Sequence, residues 1–286
     1  MNRITLTVII LIVLGVLGYY WVTDWSKPKE FEDASRPLPL GMRSVSGGAA
    51  SGGAVSGSAD EEEELLPKDI STILDPSKNV PLDTIPESIT VLVNRAFLLP
   101  ETYIPENLKR VKIKFDTEVV TEKNDLRSEA ADQIEKMIAD AAKKKIKITG
   151  VSGYRSYARQ KEVFKQSAKD HGKEHADKYC AIPGSSEHQT GLAIDVSSPE
   201  IFNALEPRFA GTKAGKWIEK NSYKYGFIIR YPKGKQKITG YNYEPWHLRY
   251  VGLTRAKYLY KNNLTLEEFY NVSMNKENKE WRNDLN

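Results

Sequence analysis

The chain begins with an apolar segment that is not expected to belong to a soluble domain. From Ile4 to Val22, 19 consecutive residues are uncharged and mostly apolar. At about 1.5 Å per residue, a helix of this length is just long enough to cross a hydrocarbon core of about 30 Å. The segment ends in bulky aromatic residues and not in the small residues of a cleavage site, which favours an uncleaved anchor over a signal peptide. We therefore predict a membrane-spanning helix within residues 1–25.

The next stretch has the composition of a flexible tether. Ten of the 15 residues from Ser44 to Ser58 are Gly or Ser, and an acidic run follows at Asp60–Glu64. Such a sequence buries too little apolar surface to fold. We predict a chain in three parts, namely a cytoplasmic tip and anchor over residues 1–25, a tether over 26–81 and a folded domain over 82–286. The positive charges flanking the anchor do not decide its orientation.

The counts of cysteine and charged residues limit the chemistry of the folded part. Cys180 is the only cysteine, which excludes an intramolecular disulfide framework and cysteine-based zinc or iron–sulfur sites. The 42 Lys and Arg residues only slightly exceed the 38 Asp and Glu residues, so charge gives no indication of nucleic-acid binding. Any metal site must use carboxylates and some of the four histidines, which are His171, His175, His188 and His247.

Helical and strand patterns are interspersed along the folded part without a strict strand–helix–strand rhythm. Apolar spacing predicts helices over residues 128–145, 155–169, 213–224 and 253–270. Strand patterns cover residues 111–115, 146–151, 192–196, 227–231 and 246–251. This order favours an α+β fold over a doubly wound sheet.

Two histidines and a carboxylate have the residue types of a catalytic zinc site. His188 lies seven residues before Asp195, so a loop and the strand that follows it supply a nitrogen and an oxygen. With His247 they make the usual set of three protein ligands, which leaves a fourth position for water. Glu244, three residues before His247, is then a spare carboxylate that can take a proton from that water and pass it to a leaving amine. This combination predicts hydrolysis of an acyl bond.

The residues alone leave other interpretations open. A histidine near an apolar strand is commonly a hydrogen-bonded structural residue, and residues three apart on a regular strand point to opposite faces, which counts against Glu244 acting beside His247. Pro245 weakens this objection, because it indicates an edge strand or irregular backbone. His171 and His175 form a rival i, i+4 pair, but a glycine separates them and their charged neighbours indicate an exposed surface.

The two motifs resemble those of a known enzyme family. The segment from Ser186 to Asp195 is similar to the S-x-H-x-x-G-x-x-x-D pattern, and the segment from Glu244 to His247 to the E-x-W-H pattern, of the VanY-type zinc D-alanyl-D-alanine carboxypeptidases, relatives of the VanX dipeptidases. The resemblance covers roughly residues 91–270. It implies the small α+β zinc-peptidase fold shared with the hedgehog signalling domain.

The resemblance also implies roles for individual residues. One Zn²⁺ per chain is expected on His188, Asp195 and His247, with Glu244 as general base. Arg155, in the family-like sequence Gly-Tyr-Arg-Ser, corresponds to an arginine near the scissile bond, and we expect it to stabilise the oxyanion unless it serves a structural salt bridge.

Two further positions resemble substrate-contacting positions of the family. These are Ser186 and Gln160, although the hydroxyl of Ser186 could equally cap the loop turn.

By resemblance, the chain is expected to be a single-pass protein of the cell membrane whose extracytoplasmic domain releases D-alanine from the D-Ala-D-Ala end of peptidoglycan stem peptides. The VanY-like sequence through Gly252 favours this bond. The alternatives are an L,D-carboxypeptidase or an endopeptidase on stem peptides, or an inactive zinc-bound peptidoglycan-binding module, against which the presence of Glu244 argues. No nucleic-acid partner is expected, and protein partners and oligomeric state are left open.

Overall fold

The computed structural model describes residues 80–272. The predicted anchor, nearly all of the predicted tether and residues 273–286 lie outside this range, so the three-part division of the chain stays a prediction. None of the helices within residues 80–272 combines the length and the apolar character needed to cross a bilayer.

Antiparallel strands form two sheets in the described part of the chain. The strands are β1 (Leu108–Arg110), β2 (Asp125–Arg127), β3 (Thr149–Ser152), β4 (Ala193–Ser197), β5 (Phe227–Tyr231) and β6 (Glu244–Tyr250). The larger sheet has the order β3-β4-β6-β5, and β1 pairs with β2. Strands β4 and β6 are therefore inner strands, and every residue of β4 is buried. The strand predicted at 227–231 is confirmed residue for residue, and those at 146–151, 192–196 and 246–251 are confirmed with shifted ends.

Helices are interspersed with these strands, which confirms the mixed helix and sheet composition expected of an α+β fold. They are α1 (Ser128–Lys143), α2 (Tyr157–His171), α3 (Lys173–Tyr179), α4 (Lys213–Asn221), α5 (Gln236–Thr239), α6 (Leu253–Asn262) and α7 (Leu266–Phe269). One face of α1 is fully buried and shares a single apolar core with residues of β4 and β6; its members include Ala131, Ile134, Met137, Ile194, Val196 and Leu248. Each fully buried Ile, Leu or Met side chain contributes about 1.5–3 kcal/mol to stability.

Two predicted elements differ from the structure. Residues 111–115 do not form a regular strand, because only Phe115 pairs there, in an isolated parallel bridge to Gly150. The helix predicted over 253–270 is two helices, α6 and α7. Asn263 has a left-handed backbone (φ 52°) that ends α6, and Thr265 and Glu268 form a capping box that starts α7.

The pairing between β5 and β6 is irregular around Pro245. Ile229 pairs with Leu248, but Tyr231 pairs with Glu244, so β6 has extra residues between these two pairs. Such a bulge changes the direction of the side chains that follow it. The prediction of irregular backbone at Pro245 is thus confirmed, although β6 is an inner strand and not an edge strand.

Candidate active site

His188, Asp195 and His247, named here the His–Asp–His cluster, meet at one buried point. One potential ligand atom of each lies within 4.8 Å of those of the other two. Each residue is only 4–5% exposed. Among the described residues, this is the group of three or more His, Cys, Asp or Glu side chains that could hold a metal ion.

The sheet and one tight turn position the three side chains. Asp195 on β4 lies directly opposite His247 on β6. His188 comes from the short 3-10 turn Glu187–Thr190, which ends at Gly191 in a left-handed conformation (φ 68°). This left-handed backbone favours glycine, and a Cβ atom at Gly191 would also lie 2.9 Å from a side-chain carbon of Leu108, which would have to shift.

The hydrogen bonds of the two imidazoles select which nitrogen of each faces the cluster. Nδ1 of His188 lies 2.7 Å from the carbonyl oxygen of Gly153 and must donate to it, so Nε2 is left to face Oδ2 of Asp195 at 3.2 Å. In His247 the roles are reversed, because Nδ1 lies 2.9 Å from Oδ1 of Asp195 and Nε2 lies 3.5 Å from Oε2 of Glu187.

These separations fit a bound zinc ion. Tetrahedral zinc holds nitrogen and oxygen ligands at about 2.0–2.1 Å, which places the ligand atoms about 3.3 Å from one another. Nδ1 of His247 lies 2.9 Å from Oδ1 of Asp195, and Nε2 of His188 lies 3.2 Å from Oδ2 of the same carboxylate, both close to that separation. One ligand atom of each residue lies within 4.8 Å of those of the other two, so a small movement of the side chains brings all three onto one ion. Two imidazoles and one carboxylate are also the donor types that zinc accepts at catalytic sites.

The charges within the cluster are strongly coupled. Burial raises the pKa of Asp195, but His188 and His247 outweigh burial and hold the pKa well below its usual range. Burial lowers the pKa of His188, so this imidazole is neutral. For His247 burial also acts to lower the pKa, but the hydrogen bonds to Asp195 and Glu187 raise it to about 9. Metal binding must therefore displace a proton from His247.

Glu244 at the start of β6 shares this electrostatic environment. Burial is the main cause that raises its pKa to about 7, and Asp195 adds to the rise while His247 and Arg155 oppose it. A carboxyl group with a pKa near neutrality can both accept and return a proton at physiological pH. The structure thus brings Glu244 into the electrostatic range of Asp195 and His247, as its proposed role requires.

Arg155 lies beside the cluster with its guanidinium held in place. Nη1 donates to Oε1 of Gln160 at 2.9 Å, and Nη2 donates to Oγ of Ser152 at 3.1 Å. Its charge acts on both His188 and Glu244. Among the described side chains, no carboxylate lies within ion-pair distance of Arg155, so the structure gives no support for the alternative of a structural salt bridge.

Gln160 and Ser186 are both buried near these groups. The amide of Gln160 accepts from Arg155 and donates to the carbonyl oxygen of Ala181 at 2.6 Å, so Gln160 orients the guanidinium. Ser186 is the N-cap residue of the 3-10 turn, but its hydroxyl makes no capping hydrogen bond. The rival pair, His171 and His175, lies on exposed parts of α2 and α3 outside the His–Asp–His cluster.

A buried ion-pair network that was not predicted from the sequence lies next to the cluster; it is formed by Glu187, Arg230, Arg249 and Glu267. Oε1 of Glu187 accepts from both Arg230 and Arg249 at 2.8 Å. Burial raises the pKa of Glu187, but the two guanidinium groups outweigh burial and hold the pKa well below its usual range. One signal was present in the sequence: each arginine interrupts a buried apolar strand, and such a charge requires a buried partner.

Comparison with known proteins gives consistent matches to this arrangement. The family profile named VanY, D-alanyl-D-alanine carboxypeptidase, matches residues 123–253. YodJ of Bacillus subtilis (strain 168), a protein named as a carboxypeptidase, is 48% identical over 191 residues, which cover 66% of this chain and 70% of that protein.

Solved structures also resemble the described fold. The LdcB LD-carboxypeptidase structure matches with a TM-score of 0.63 and 47% identity, and the match covers 66% of this chain and 88% of that one. A Zn(II) complex of a mutant VanY D,D-pentapeptidase from a VanB-type resistance cassette matches with a TM-score of 0.53 and 31% identity, over 63% of this chain and 97% of that one. On the profile match and these identities, this chain belongs to the VanY family of carboxypeptidases.

Proposed function

We propose that this protein is a zinc-dependent carboxypeptidase that removes the C-terminal D-alanine from stem peptides of peptidoglycan. The observation that carries this proposal is the His–Asp–His cluster, with Glu244 in its electrostatic range at a pKa of about 7. His188, Asp195 and His247 would hold the zinc ion. When bound, zinc acts as a Lewis acid and lowers the pKa of a bound water to about 7.

Glu244 has the role of general base and then general acid. As a carboxylate it accepts a proton from the attacking water, and as a carboxylic acid it returns that proton to the amine of the leaving D-alanine. In the metal-free protein its pKa is raised to about 7, so neither protonation state is strongly disfavoured near neutral pH, which supports both steps.

Arg155 has the role of an electrostatic stabiliser. As the peptide carbonyl is attacked, its oxygen gains negative charge, and a guanidinium held by Gln160 and Ser152 is available to donate to it. Donors that are fixed before the reaction need no reorganisation when the charge develops. The hydroxyl of Ser186, which is not used for capping, is proposed to contact the substrate.

Two bonds of the stem peptide are candidates for cleavage. The VanY-like sequence through Gly252 favours the D-Ala-D-Ala bond of the pentapeptide, and the VanY profile match is consistent with it. A specific observation favours the bond between an L-centre and D-alanine in the tetrapeptide: identity is 47% to the LdcB LD-carboxypeptidase but 31% to the VanY D,D-pentapeptidase. On this higher overall identity we rank the tetrapeptide first and the pentapeptide second.

The location is part of the same proposal. Stem peptides of assembled peptidoglycan lie outside the cytoplasm, and the apolar segment within residues 1–25 has the length of a membrane anchor. We propose a single-pass membrane protein whose catalytic domain faces the cell wall.

The test compares both substrates on one enzyme preparation. Zinc-loaded protein is incubated with the tetrapeptide and the pentapeptide separately, and released D-alanine and the remaining peptide are quantified by mass spectrometry. A higher kcat/KM on the tetrapeptide supports the first ranking, and a higher kcat/KM on the pentapeptide reverses it. Release of D-alanine from neither peptide contradicts the proposed function.

A further inference from the structure

The carboxylate of Glu187 lies between two buried arginines and one member of the His–Asp–His cluster. Its Oε1 atom accepts from Nε of Arg230 and Nη1 of Arg249, each at 2.8 Å. Its Oε2 atom lies 3.5 Å from Nε2 of His247. The side chains of Glu187, Arg230 and Arg249 are 0% exposed, so water does not compete for these contacts.

The rest of the ion-pair network fixes the position of this carboxylate. Nη1 and Nη2 of Arg230 donate to the two oxygens of Glu267 on α7, at 2.8 and 2.6 Å. Arg249 also donates through Nη2 to the carbonyl oxygen of Val91 at 2.9 Å. The negative charges of two glutamates balance the positive charges of two arginines. Because each planar guanidinium makes several hydrogen bonds at once, the carboxylate of Glu187 has little freedom to rotate.

One face and both nitrogens of the His247 ring each contact a different side chain. Tyr231 stacks on one face, with ring centroids 5.0 Å apart and an interplanar angle of 29°. Nδ1 faces Asp195, and Nε2 faces Glu187. Because Asp195 and His188 occupy the side on which zinc would sit, Glu187 is the acceptor that faces the nitrogen directed away from the metal.

We propose that Glu187 is a positioning residue for His247. Its carboxylate accepts a hydrogen bond from the Nε2–H group, which keeps the proton on Nε2 and leaves Nδ1 free to bind the zinc ion. This inference rests on the proposed zinc-dependent function. Carboxylates that accept the second N–H of a metal-binding histidine fix its tautomer and orientation, and removing them commonly weakens metal binding about 10- to 100-fold.

A purely structural role for Glu187, as a counter-charge to the arginines, makes a different prediction, and the network offers a matched control. Glu267 is also a fully buried carboxylate bound to Arg230, but its bonds are to Arg230 and Asn94 and not to His247. Glu187→Gln and Glu267→Gln each remove one buried negative charge from the same network. Only the first changes the group that faces the imidazole: the one oxygen left in the Glu187→Gln side chain is taken by the two arginine donors, so the amide NH2, which is a donor, faces Nε2 of His247.

The experiment measures zinc affinity of the full-length protein by competition with a chelator, and the absorption spectrum of the Co²⁺-substituted protein. We expect Glu187→Gln to weaken zinc binding about 10- to 100-fold and to change the Co²⁺ spectrum. Glu267→Gln should lower the melting temperature while both metal readouts stay as in the wild type. Equal changes in both variants, or wild-type metal readouts in Glu187→Gln, would overturn the inference.

A second variant keeps the test valid if Glu187→Gln does not fold. Glu187→Asp retains the negative charge that the arginines require but withdraws it from His247 by one methylene group. Weaker zinc binding in this folded variant supports the positioning role, and unchanged binding overturns it. Failure of the wild type itself to bind zinc would instead contradict the proposed function.

Discussion

Asp195 and His247 are directly opposite one another on the inner strands β4 and β6, and Oδ1 of Asp195 lies 2.9 Å from Nδ1 of His247. The register of the sheet therefore fixes two of the three proposed zinc ligands relative to each other. The third, His188, lies on a turn that ends at Gly191, whose left-handed backbone favours glycine. The strand register and the turn thus position the three proposed ligands before zinc binds. We therefore expect these side chains to move little on zinc binding.

The assignment of ligands predicts zinc content. The purified protein should contain about one zinc per chain, and His247→Ala or Asp195→Ala should lose most of it, because two protein ligands seldom hold zinc tightly. The control is the double variant His171→Ala/His175→Ala, which should keep its zinc. Metal analysis that shows the reverse pattern would mean that the metal binds at the exposed pair.

Glu244 should be needed for turnover but not for metal binding. Glu244→Gln preserves size and removes the proton acceptor, so kcat should fall about 10²- to 10⁴-fold. Zinc content, measured on the same sample, should stay at the wild-type level. A Glu244→Gln protein that lacks zinc would indicate that Glu244 is a ligand.

Zinc binding should release a proton. In the metal-free protein the pKa of His247 is raised to about 9, so this imidazole is protonated at pH 8, whereas zinc requires it neutral. Calorimetry at pH 8 in buffers of different ionisation enthalpy should give about one proton per zinc from His247, and ionisation of the zinc-bound water adds to this release. The same shift stabilises the metal-free fold fully below pH 6.5, and this contribution is lost as pH rises through about 9. Zinc binding at pH 8 without proton release would contradict the assignment.

Arg155 should act mainly on the chemical step. Removing one donor to a developing oxyanion typically lowers kcat about 10²- to 10³-fold, and we expect this of Arg155→Ala with a smaller change in KM. Gln160→Ala removes one bond that orients the guanidinium and should have a weaker effect of the same kind. A rise in KM at unchanged kcat would instead indicate that Arg155 binds the substrate carboxylate in the ground state.

Many residues of the candidate site could be predicted from the sequence, because they lie in two short motifs. The spacing of His188 and Asp195 placed a turn before a strand, and Pro245 indicated the irregular backbone seen at the bulge of β6. The helix predicted over 253–270 was too long, because apolar spacing continues across Asn263 although its backbone is left-handed.

The buried ion-pair network could not be assembled from sequence. Glu187 lies 43 residues from Arg230 and 62 from Arg249, and no local pattern links them. An arginine within a buried strand indicates that some carboxylate must lie nearby, but only the fold determines which one. The same holds for the contact of Glu187 with His247, which depends on the turn that also carries His188.

The dependence of D-alanine release on zinc is the decisive measurement for this protein. Metal-free protein is supplied with increasing zinc, and D-alanine released from tetrapeptide and pentapeptide is measured at each step, with Glu244→Gln in parallel. We expect activity that rises in proportion to zinc, levels off at about one equivalent per chain and is nearly absent in the variant. Release that is independent of zinc, or that persists undiminished in zinc-loaded Glu244→Gln, would contradict a zinc-dependent mechanism with Glu244 as general base.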